Sequence, residues 1–322
     1  MSNCDPPKHG RIRMQNMKSF SARRLAALEP TVRDRCSELV DRLLARIDAE
    51  GSADLVEELA FPLPAVVVFA LIGFPDGDTE RLKDWCTDRM SFSWGRPSTS
   101  AQARIAEQLA AYWLYCETFV HARLADLRDD FTSDLLRVHL HDHEAVSVDE
   151  IVNVTYGLSF AGHETTTGLI GNAVHRLLEV PDRWSQLRAE PSLLPTAVEE
   201  VLRYDTSVVA WRRITTRAVE LGGARLPEGA KLLLMLAAAN RDPERFPDPD
   251  IFDLQRHDAR AHLSFGKGIH FCLGAALARL ELLVVLEQLL ERAPDLRLVE
   301  GQLLSFPPNV AFRGPQTLAV TR

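Results

Sequence analysis

The most specific pattern in this 322-residue chain is Phe265-Gly-Lys-Gly-Ile-His-Phe-Cys-Leu-Gly274. It holds one cysteine, Cys272, among three glycines, with Phe265 seven residues before the cysteine and His270 two residues before it. An apolar run over residues 273–290 follows directly. We therefore expect Cys272 to lie in a loop at the N-terminal end of a helix, where the helix dipole and free N–H groups favour a negatively charged sulfur.

A single thiolate in a glycine-rich loop suits one kind of metal site. Glycines let the backbone approach a flat ligand and donate N–H groups to the sulfur. Zinc and iron–sulfur clusters need several ligands, but the chain has no C-x-x-C pair, so a lone thiolate fits haem iron better. The alternative is that Cys272 packs as a small buried hydrophobic residue, as free cysteines often do.

The pattern F-x-x-G-x-H-x-C-x-G resembles the haem-binding loop of the cytochrome P-450 monooxygenases, and we call residues 265–274 the cysteine loop. The resemblance implies heme b, iron protoporphyrin IX, with Cys272 as the axial ligand of the metal. It also implies that four further residues of the loop contact the cofactor: Phe265, Gly266, His270 and Gly274.

A second match, Ala161-Gly-His-Glu-Thr-Thr166, lies within a long apolar segment. Read alone, Glu164 is a solvated carboxylate on a polar stripe. Gly162 weakens a helix, and Thr165 can donate to the carbonyl one turn earlier, which predicts a bulge with room for dioxygen and water. The segment resembles the family's oxygen-activation pattern A/G-G-x-D/E-T. The resemblance implies that Thr165 holds the oxygen ligand and its water, that Glu164 relays protons and that Ala161 lines the cofactor pocket.

Basic residues that would hold the cofactor's carboxylates occur in two places. Asp5-Pro-Pro-Lys-His9-Gly-Arg-Ile-Arg13 resembles the family's D-P-P-x-H-x-x-x-R, and His9 and Arg13 share a helical face. The resemblance implies that both residues, together with His270, reach the haem propionates. Arg212 best matches a further propionate-binding arginine. Taken singly, each of these is an ordinary basic residue.

A third pattern predicts a structural network. Glu200 and Arg203 stand three residues apart on a predicted helix, where a modest surface pair is the default interpretation. In the resembling family this E-x-x-R pair joins an arginine of an irregular loop and supports the cysteine loop. Arg256, in the proline-rich segment 242–256, supplies that arginine here.

Hydrophobic periodicity predicts a mostly helical chain. We expect helices over residues 23–28, 31–49, 62–72, 102–127, 147–180 and 193–204, the fifth opened by a capping box of Ser147 and Glu150. One small antiparallel sheet is expected over 218–236, with short strands at 296–298, 303–306 and 317–320. The prediction is a single mainly α domain with small β-sheets over residues 1–322, the cytochrome P-450 fold.

The family pattern places further structure before the D-P-P-x-H motif: the first helices, part of the main sheet and a loop that covers the substrate. This chain reaches the motif at Asp5. The resemblance therefore predicts an N-terminally incomplete fold, through a misassigned start, a fragment or a degenerate copy.

Composition excludes several classes of partner. The formal net charge of −8 argues against general nucleic-acid binding. The longest apolar stretches, residues 61–74 and 232–239, are too short to cross a bilayer. Scattered cysteines without a disulfide framework fit a reducing cytoplasm, so we expect a cytoplasmic protein with no membrane anchor.

These patterns together predict a haem-dependent monooxygenase of secondary metabolism. It would insert one oxygen atom of O2 into a lipophilic small molecule by hydroxylation or epoxidation, in a pocket lined by Leu158, Ala161, Val208, Val209 and Ala210. Two alternatives remain: a truncated haem-binding homologue without turnover (a sensor, carrier or remnant), and a helical scaffold without a cofactor.

Electrons would come from a separate protein, because the sequence has no flavin, nicotinamide or iron–sulfur motif. We expect a ferredoxin or a flavodoxin-type donor with its reductase. A basic patch near the cysteine would steer this acidic partner, and its predicted members are Lys8, Arg11, Lys18 and Lys267.

Overall fold

The computed structural model describes residues 4–322, with the side chains of residues 87 and 88 excepted. Helices dominate this range, as predicted. The α-helices are α1 (Lys8–Met17), α2 (Ala22–Glu50), α3 (Pro62–Ile72), α4 (Thr79–Trp94), α5 (Thr99–Ala125), α6 (Phe131–His141), α7 (Val148–Leu178), α8 (Pro181–Ala189), α9 (Leu194–Tyr204), α10 (Leu236–Ala239) and α11 (Ala275–Arg292).

Short antiparallel strands form three small sheets among the described residues. The strands are β1 (Ala53–Asp54), β2 (Trp211–Ile214), β3 (Val219–Leu221), β4 (Ala224–Leu226), β5 (Lys231–Leu234), β6 (Arg297–Leu298) and β7 (Ala319–Thr321). The sheet orders are β1-β7-β6, β2-β5 and β3-β4. Residues 303–306, expected as a strand, lie outside these sheets.

The single sheet expected over residues 218–236 was wrong. Gly222 and Gly223 do close a hairpin between β3 and β4, at positive φ of 56° and 77°. The chain then turns at Gly229, whose N–H donates to the Thr215 carbonyl at 2.8 Å. This turn brings β5 back onto β2, which precedes the hairpin, so two separate sheets result.

The helix α7 runs through the core, as its predicted length suggested. Its 31 residues span about 46 Å at 1.5 Å per residue. Ser147 Oγ accepts from the Glu150 N–H at 3.2 Å, and the Glu150 carboxylate accepts from the Ser147 N–H at 3.1 Å, so the predicted capping box is confirmed. The helix packs against α3, α5 and α11.

Gly162 allows α7 to approach α3 closely. A Cβ at Gly162 would lie 2.6 Å from Val68 Cγ2, which is too close for a stable contact. The facing helix α3 is apolar almost all round and nearly completely buried, as its sequence predicted. The glycine therefore serves helix packing beside the oxygen-activation segment.

The helix α2 continues through Pro30, although the sequence predicted a break there. Proline lacks the N–H that would bond the carbonyl four residues earlier, which costs about 3 kcal/mol inside a helix. Buried side chains on both sides of the proline, such as Leu25, Val32 and Cys36, pack into the same core and offset this cost. The helix ends at the predicted Gly51, with φ 82°.

Candidate active site

The cysteine loop is closed by its own backbone just before α11. The Cys272 N–H donates to the Phe265 carbonyl at 2.9 Å, and the Phe271 N–H donates to the Gly268 carbonyl at 3.0 Å. Gly266 and Gly268 adopt positive φ of 70° and 78°, a conformation that side chains other than glycine rarely tolerate. The loop thus holds Cys272 three residues before the first residue of α11.

Cys272 is exposed on one side, while protein surrounds the sulfur on the others. This burial raises the pKa of the thiol above its ordinary value. The Gly274 N–H, which bonds the sulfur, and the charges of Arg13 and Arg279 oppose the rise. The protonated thiol is therefore favoured until a cation binds the sulfur, and a bound metal ion would stabilise the thiolate.

The helix α1 brings two predicted residues to the cysteine loop. Arg13 Nη2 donates to the Phe271 carbonyl at 2.7 Å, and the rings of His9 and His270 lie 4.2 Å apart between centroids. Burial lowers the pKa of His9, and the charges of His270 and Arg13 lower it further. Three residues predicted to reach the propionates therefore meet beside Cys272.

The surroundings of the loop fit a haem group. Among the described residues, His9 Nε2 is buried without a hydrogen-bond partner, which costs about 1–3 kcal/mol unless a ligand supplies one. A propionate oxygen would accept from this nitrogen. A Cβ at Gly266, Gly268 or Gly274 would meet nothing within 4 Å, so a flat ligand has room against the loop.

Arg212 lies over an aromatic ring. It is exposed on β2, and its guanidinium carbon sits 4.1 Å from the centroid of the Trp94 ring. In the described part of the chain Arg212 donates no hydrogen bond to the cysteine loop. Side chains alternate along a strand, so Arg213 faces the other side of β2. The propionate role of Arg212 stays a prediction.

The oxygen-activation segment keeps its predicted hydrogen bond but not its predicted bulge. Thr165 Oγ1 donates to the Ala161 carbonyl at 2.8 Å, while residues 161–166 remain α-helical. The hydroxyl bonds the carbonyl without displacing the helix, so no change of helix type follows. Ala161, Glu164 and Thr165 keep solvent exposure, whereas the next nine residues are buried.

His163, the histidine within the oxygen-activation segment, is fully buried. Its Nε2 lies 3.0 Å from the Phe61 carbonyl. Burial lowers the pKa of His163 to about 3, so the ring stays neutral. This histidine ties α7 to the start of α3 and is no proton carrier at neutral pH.

The predicted E-x-x-R network is confirmed as a buried structural unit. Both Glu200 and Arg203 have fully buried side chains, and Arg203 donates to the Glu200 carboxylate twice at 2.7 Å. Arg256 Nε donates to the same carboxylate at 3.3 Å. Arg203 also donates to carbonyls of the irregular segment 242–256, which fixes this segment to α9.

A second network, which the sequence analysis missed, holds the cysteine loop. Arg279 donates to the Glu199 carboxylate at 2.7 and 2.9 Å, and its guanidinium carbon lies 4.6 Å from the centroid of Phe265. Burial opposes the ionisation of Glu199, but hydrogen bonds from His262 and Arg279 lower its pKa to about 2. The only sequence signal was an arginine seven residues after Cys272.

Three rings form an aromatic cluster at the C-terminal end of α4: Trp94, Trp211 and Phe312. Their centroids lie 5.1 to 6.1 Å apart. Val208, a predicted pocket residue, pairs with Phe312 through a β-bridge. Val208, Val209 and Leu158 are half-buried, whereas Ala210 is completely buried. The lining role of Ala210 was wrong, because protein already encloses it.

The predicted basic patch is partly neutralised. Arg11 donates to both carboxylate oxygens of Glu150 at 2.8 and 2.6 Å, and Lys8 lies 3.7 Å from the same carboxylate. Lys18 and Lys267 are exposed. Within residues 4–322, no helix combines the length and apolar composition that a bilayer span requires.

Comparisons with known proteins identify the family of the chain. The family model for cytochrome P-450 matches residues 1–293. The chain is 41% identical over 323 residues to the cytochrome P-450 monooxygenase PikC of Streptomyces venezuelae, covering 99% of this chain and 75% of the relative. It is 37% identical to the 6-deoxyerythronolide B hydroxylase of Saccharopolyspora erythraea, with 99% and 77% covered.

A solved structure of a cytochrome P-450 has the same fold as this chain. The cytochrome P-450 CREJ, in complex with (4-ethylphenyl) dihydrogen phosphate, superposes with a TM-score of 0.95 at 39% identity. The match covers 99% of this chain and 78% of that chain. With its mainly α fold, its cysteine loop and these relatives, the chain belongs to the cytochrome P-450 family and is a monooxygenase of the bacterial type.

Proposed function

We propose that Cys272 is the axial thiolate of heme b and that the enzyme inserts one oxygen atom of O2 into a lipophilic small molecule. The observation that carries this proposal is the position of Cys272, an exposed residue in a closed loop whose sulfur is bonded by the Gly274 N–H and flanked by Arg13. Relatives named as a hydroxylase and as the cyclomarin C epoxidase CymV of Salinispora arenicola support hydroxylation or epoxidation.

Different residues of the chain hold the haem carboxylates and the haem ring. When bound, the haem supplies oxygen activation, assisted by electron donation from the thiolate. His9 Nε2, Arg13 and His270 hold the haem carboxylates, and charge-assisted bonds of this kind are strong and directional. Phe265, Gly266 and Gly274 shape the surface against which the ring lies.

Proton delivery is assigned to the exposed face of α7. Thr165 Oγ1 holds a water molecule at the oxygen-binding side, and the Glu164 carboxyl passes protons from solvent to that water. Both side chains are partly exposed just before the buried stretch 166–174 of the helix, which gives solvent protons a way in. Ala161, one turn before Thr165, leaves space beside the hydroxyl.

Electrons are supplied by a separate ferredoxin or flavodoxin-type donor with its reductase, at the face that carries α1 and the cysteine loop. Lys18 and Lys267 are exposed there and give it positive charge, which favours an acidic partner. We place the enzyme in the cytoplasm, where such donors and a reduced thiol occur together.

The test is the carbon monoxide spectrum of the reduced holoprotein. The proposal predicts a strongly red-shifted Soret band in the natural sequence and its loss in Cys272→Ala. Cys116→Ala, which removes a buried cysteine elsewhere, is the matched control and keeps the band. A protein that binds no haem, or whose band survives Cys272→Ala, contradicts the proposal. A shifted band without product from any lipophilic compound would favour a haem binder without turnover.

A further inference from the structure

Arg89 is a half-buried cation without a counter-ion among the described residues. It continues the buried stripe of α4 that begins with Leu82 and Cys86, both 0% exposed. Its Nη1 atom is buried and has no hydrogen-bond partner among the described residues. Within the same residues Arg89 also forms no ion pair, although burial of a charge normally requires one.

Three arginines of the described chain are buried more deeply than Arg89, and all three have counter-ions. Each of them pairs with a buried carboxylate; the pairs are Arg123 with Asp130 at 3.2 Å, Arg203 with Glu200 at 2.7 Å and Arg256 with Glu200 at 3.3 Å. Arg89 instead lies over two rings of α7, with its guanidinium carbon 4.0 Å from Phe160 and 4.8 Å from Tyr156. Aromatic faces attract a cation but do not neutralise it.

The position of Arg89 connects it to the substrate side of the enzyme. Phe160, its closer ring, directly precedes Ala161 of the oxygen-activation segment. Five residues after Arg89, α4 reaches Trp94 of the aromatic cluster. Arg89 therefore lies on the helix that leads to the aromatic cluster and contacts the helix that carries the proton-delivery residues.

Part of the Arg89 side chain remains exposed to solvent. Of its nitrogens, only Nη1 is enclosed without a partner in the described structure, and the residue as a whole is only half-buried. The Nε and Nη2 atoms form the planar fork that matches two oxygens of a carboxylate or phosphate. The rings hold this fork in place before any ligand arrives.

We propose that Arg89 binds an anionic oxygen group of the substrate, a carboxylate or a phosphate ester, while the aromatic cluster holds its apolar part. This rests on the proposed function and names the substrate class of the same site. A bound anion would supply a counter-ion, which Arg89 lacks among the described residues. It would also fix one end of an otherwise apolar molecule relative to Thr165.

The experiment uses three probes with one alkyl chain: decanoate, decyl phosphate and 1-decanol. Calorimetry on the holoprotein measures their affinities in the natural sequence, in Arg89→Gln and in Arg81→Gln. Arg81 is the matched control, because it lies on the same helix over Trp85 and Tyr115 but is paired with Asp78 at 2.8 Å.

We expect at least one anion to bind about tenfold or more tightly than 1-decanol. Arg89→Gln abolishes this preference and Arg81→Gln keeps it, and the tighter anion identifies the group. Equal affinity for all three probes, or a preference that survives Arg89→Gln, overturns the proposal. The calorimetric readout does not need turnover, so a protein without the shifted carbon monoxide band but with the Arg89-dependent preference would refute the proposed function alone.

Thermal unfolding separates a binding role from a structural one. Arg89→Met keeps the length of the side chain and removes an uncompensated charge, so the melting temperature of the unliganded protein should stay equal or rise. A large fall would mean that Arg89 holds α4 to α7, and it would overturn the proposal.

Discussion

At the scale of single residues, two threonines that look alike in the sequence differ in their exposure to solvent. Thr165 and Thr167 both lie on α7 and both donate to a carbonyl one turn earlier, at 2.8 and 3.2 Å. Only Thr165 is partly exposed, whereas Thr167 is buried. The Thr165 hydroxyl can therefore take part in proton delivery, whereas the Thr167 hydroxyl is enclosed in the core.

The Thr165 hydroxyl can be tested by the balance of oxygen and product. Thr165→Ala removes the group that holds water, so we expect product formation to fall about tenfold or more relative to oxygen consumed. Thr165→Ser retains a hydroxyl and should restore most of the coupling. Unchanged coupling in Thr165→Ala would contradict the proton-delivery role.

The buried carboxyl of Glu281 should make the stability of the protein depend on pH. It is 1% exposed on α11 and its Oε2 has no partner in the described structure. Burial raises the pKa of Glu281 from 4.5 to about 8, so the folded state holds a proton that the unfolded state loses above pH 4.5. The free energy of unfolding should therefore fall as pH rises from about 5 to about 8, by about 4 kcal/mol at most.

Denaturant unfolding at about pH 6 and about pH 9 checks this sign. Glu281→Gln should remove most of the difference between the two conditions, because the amide does not titrate. Glu291→Gln, at the exposed end of the same helix, should leave the difference as it is. A natural sequence whose stability does not fall over this range would show that Glu281 has a partner when folded.

At the scale of helices, the α3–α7 contact depends on a missing side chain. Gly162→Ala would place a Cβ 2.6 Å from the stiff, buried Val68, and we expect a loss of about 1–3 kcal/mol of stability. Gly157→Ala on the same helix meets nothing within 4 Å and should be neutral or stabilising by up to about 1 kcal/mol. The double variant Gly162→Ala with Val68→Ala should lose less than the two single effects added together.

The contact between α9, α11 and the cysteine loop should influence the reduction potential of the haem. Arg279 places a positive charge near Cys272, so Arg279→Gln should lower the haem reduction potential by favouring the more positive ferric state. Arg279→Lys keeps the charge and should recover most of the potential. Arg292→Gln, which removes a cation paired with Asp41 farther along α11, is the control. A potential unchanged by Arg279→Gln would mean that Glu199 already cancels the charge at the sulfur.

At the scale of the whole molecule, the sequence predicted those features that depend on a few neighbouring residues. The capping box at Ser147, the buried α3 and the glycine turn between β3 and β4 each follow from a few neighbouring residues. The cysteine loop could be predicted for the same reason, because ten consecutive residues determine its conformation and include its thiol.

Features set by distant parts of the chain could not be predicted in this way. Pro30 stays within a helix because both halves of α2 pack on one core, and β5 joins β2 across an intervening hairpin. Glu199 and Arg279 are 80 residues apart, and only the fold brings them together. The residues next to Arg89 in the sequence do not indicate the two rings of α7 that lie beneath its guanidinium.

The central claim is a bond between the Cys272 sulfur and haem iron, and X-ray absorption at the iron edge measures it most directly. The account predicts one sulfur neighbour at bonding distance in the ferric holoprotein and none in Cys272→Ala loaded with the same haem. Iron with only nitrogen and oxygen neighbours in the natural sequence would contradict it.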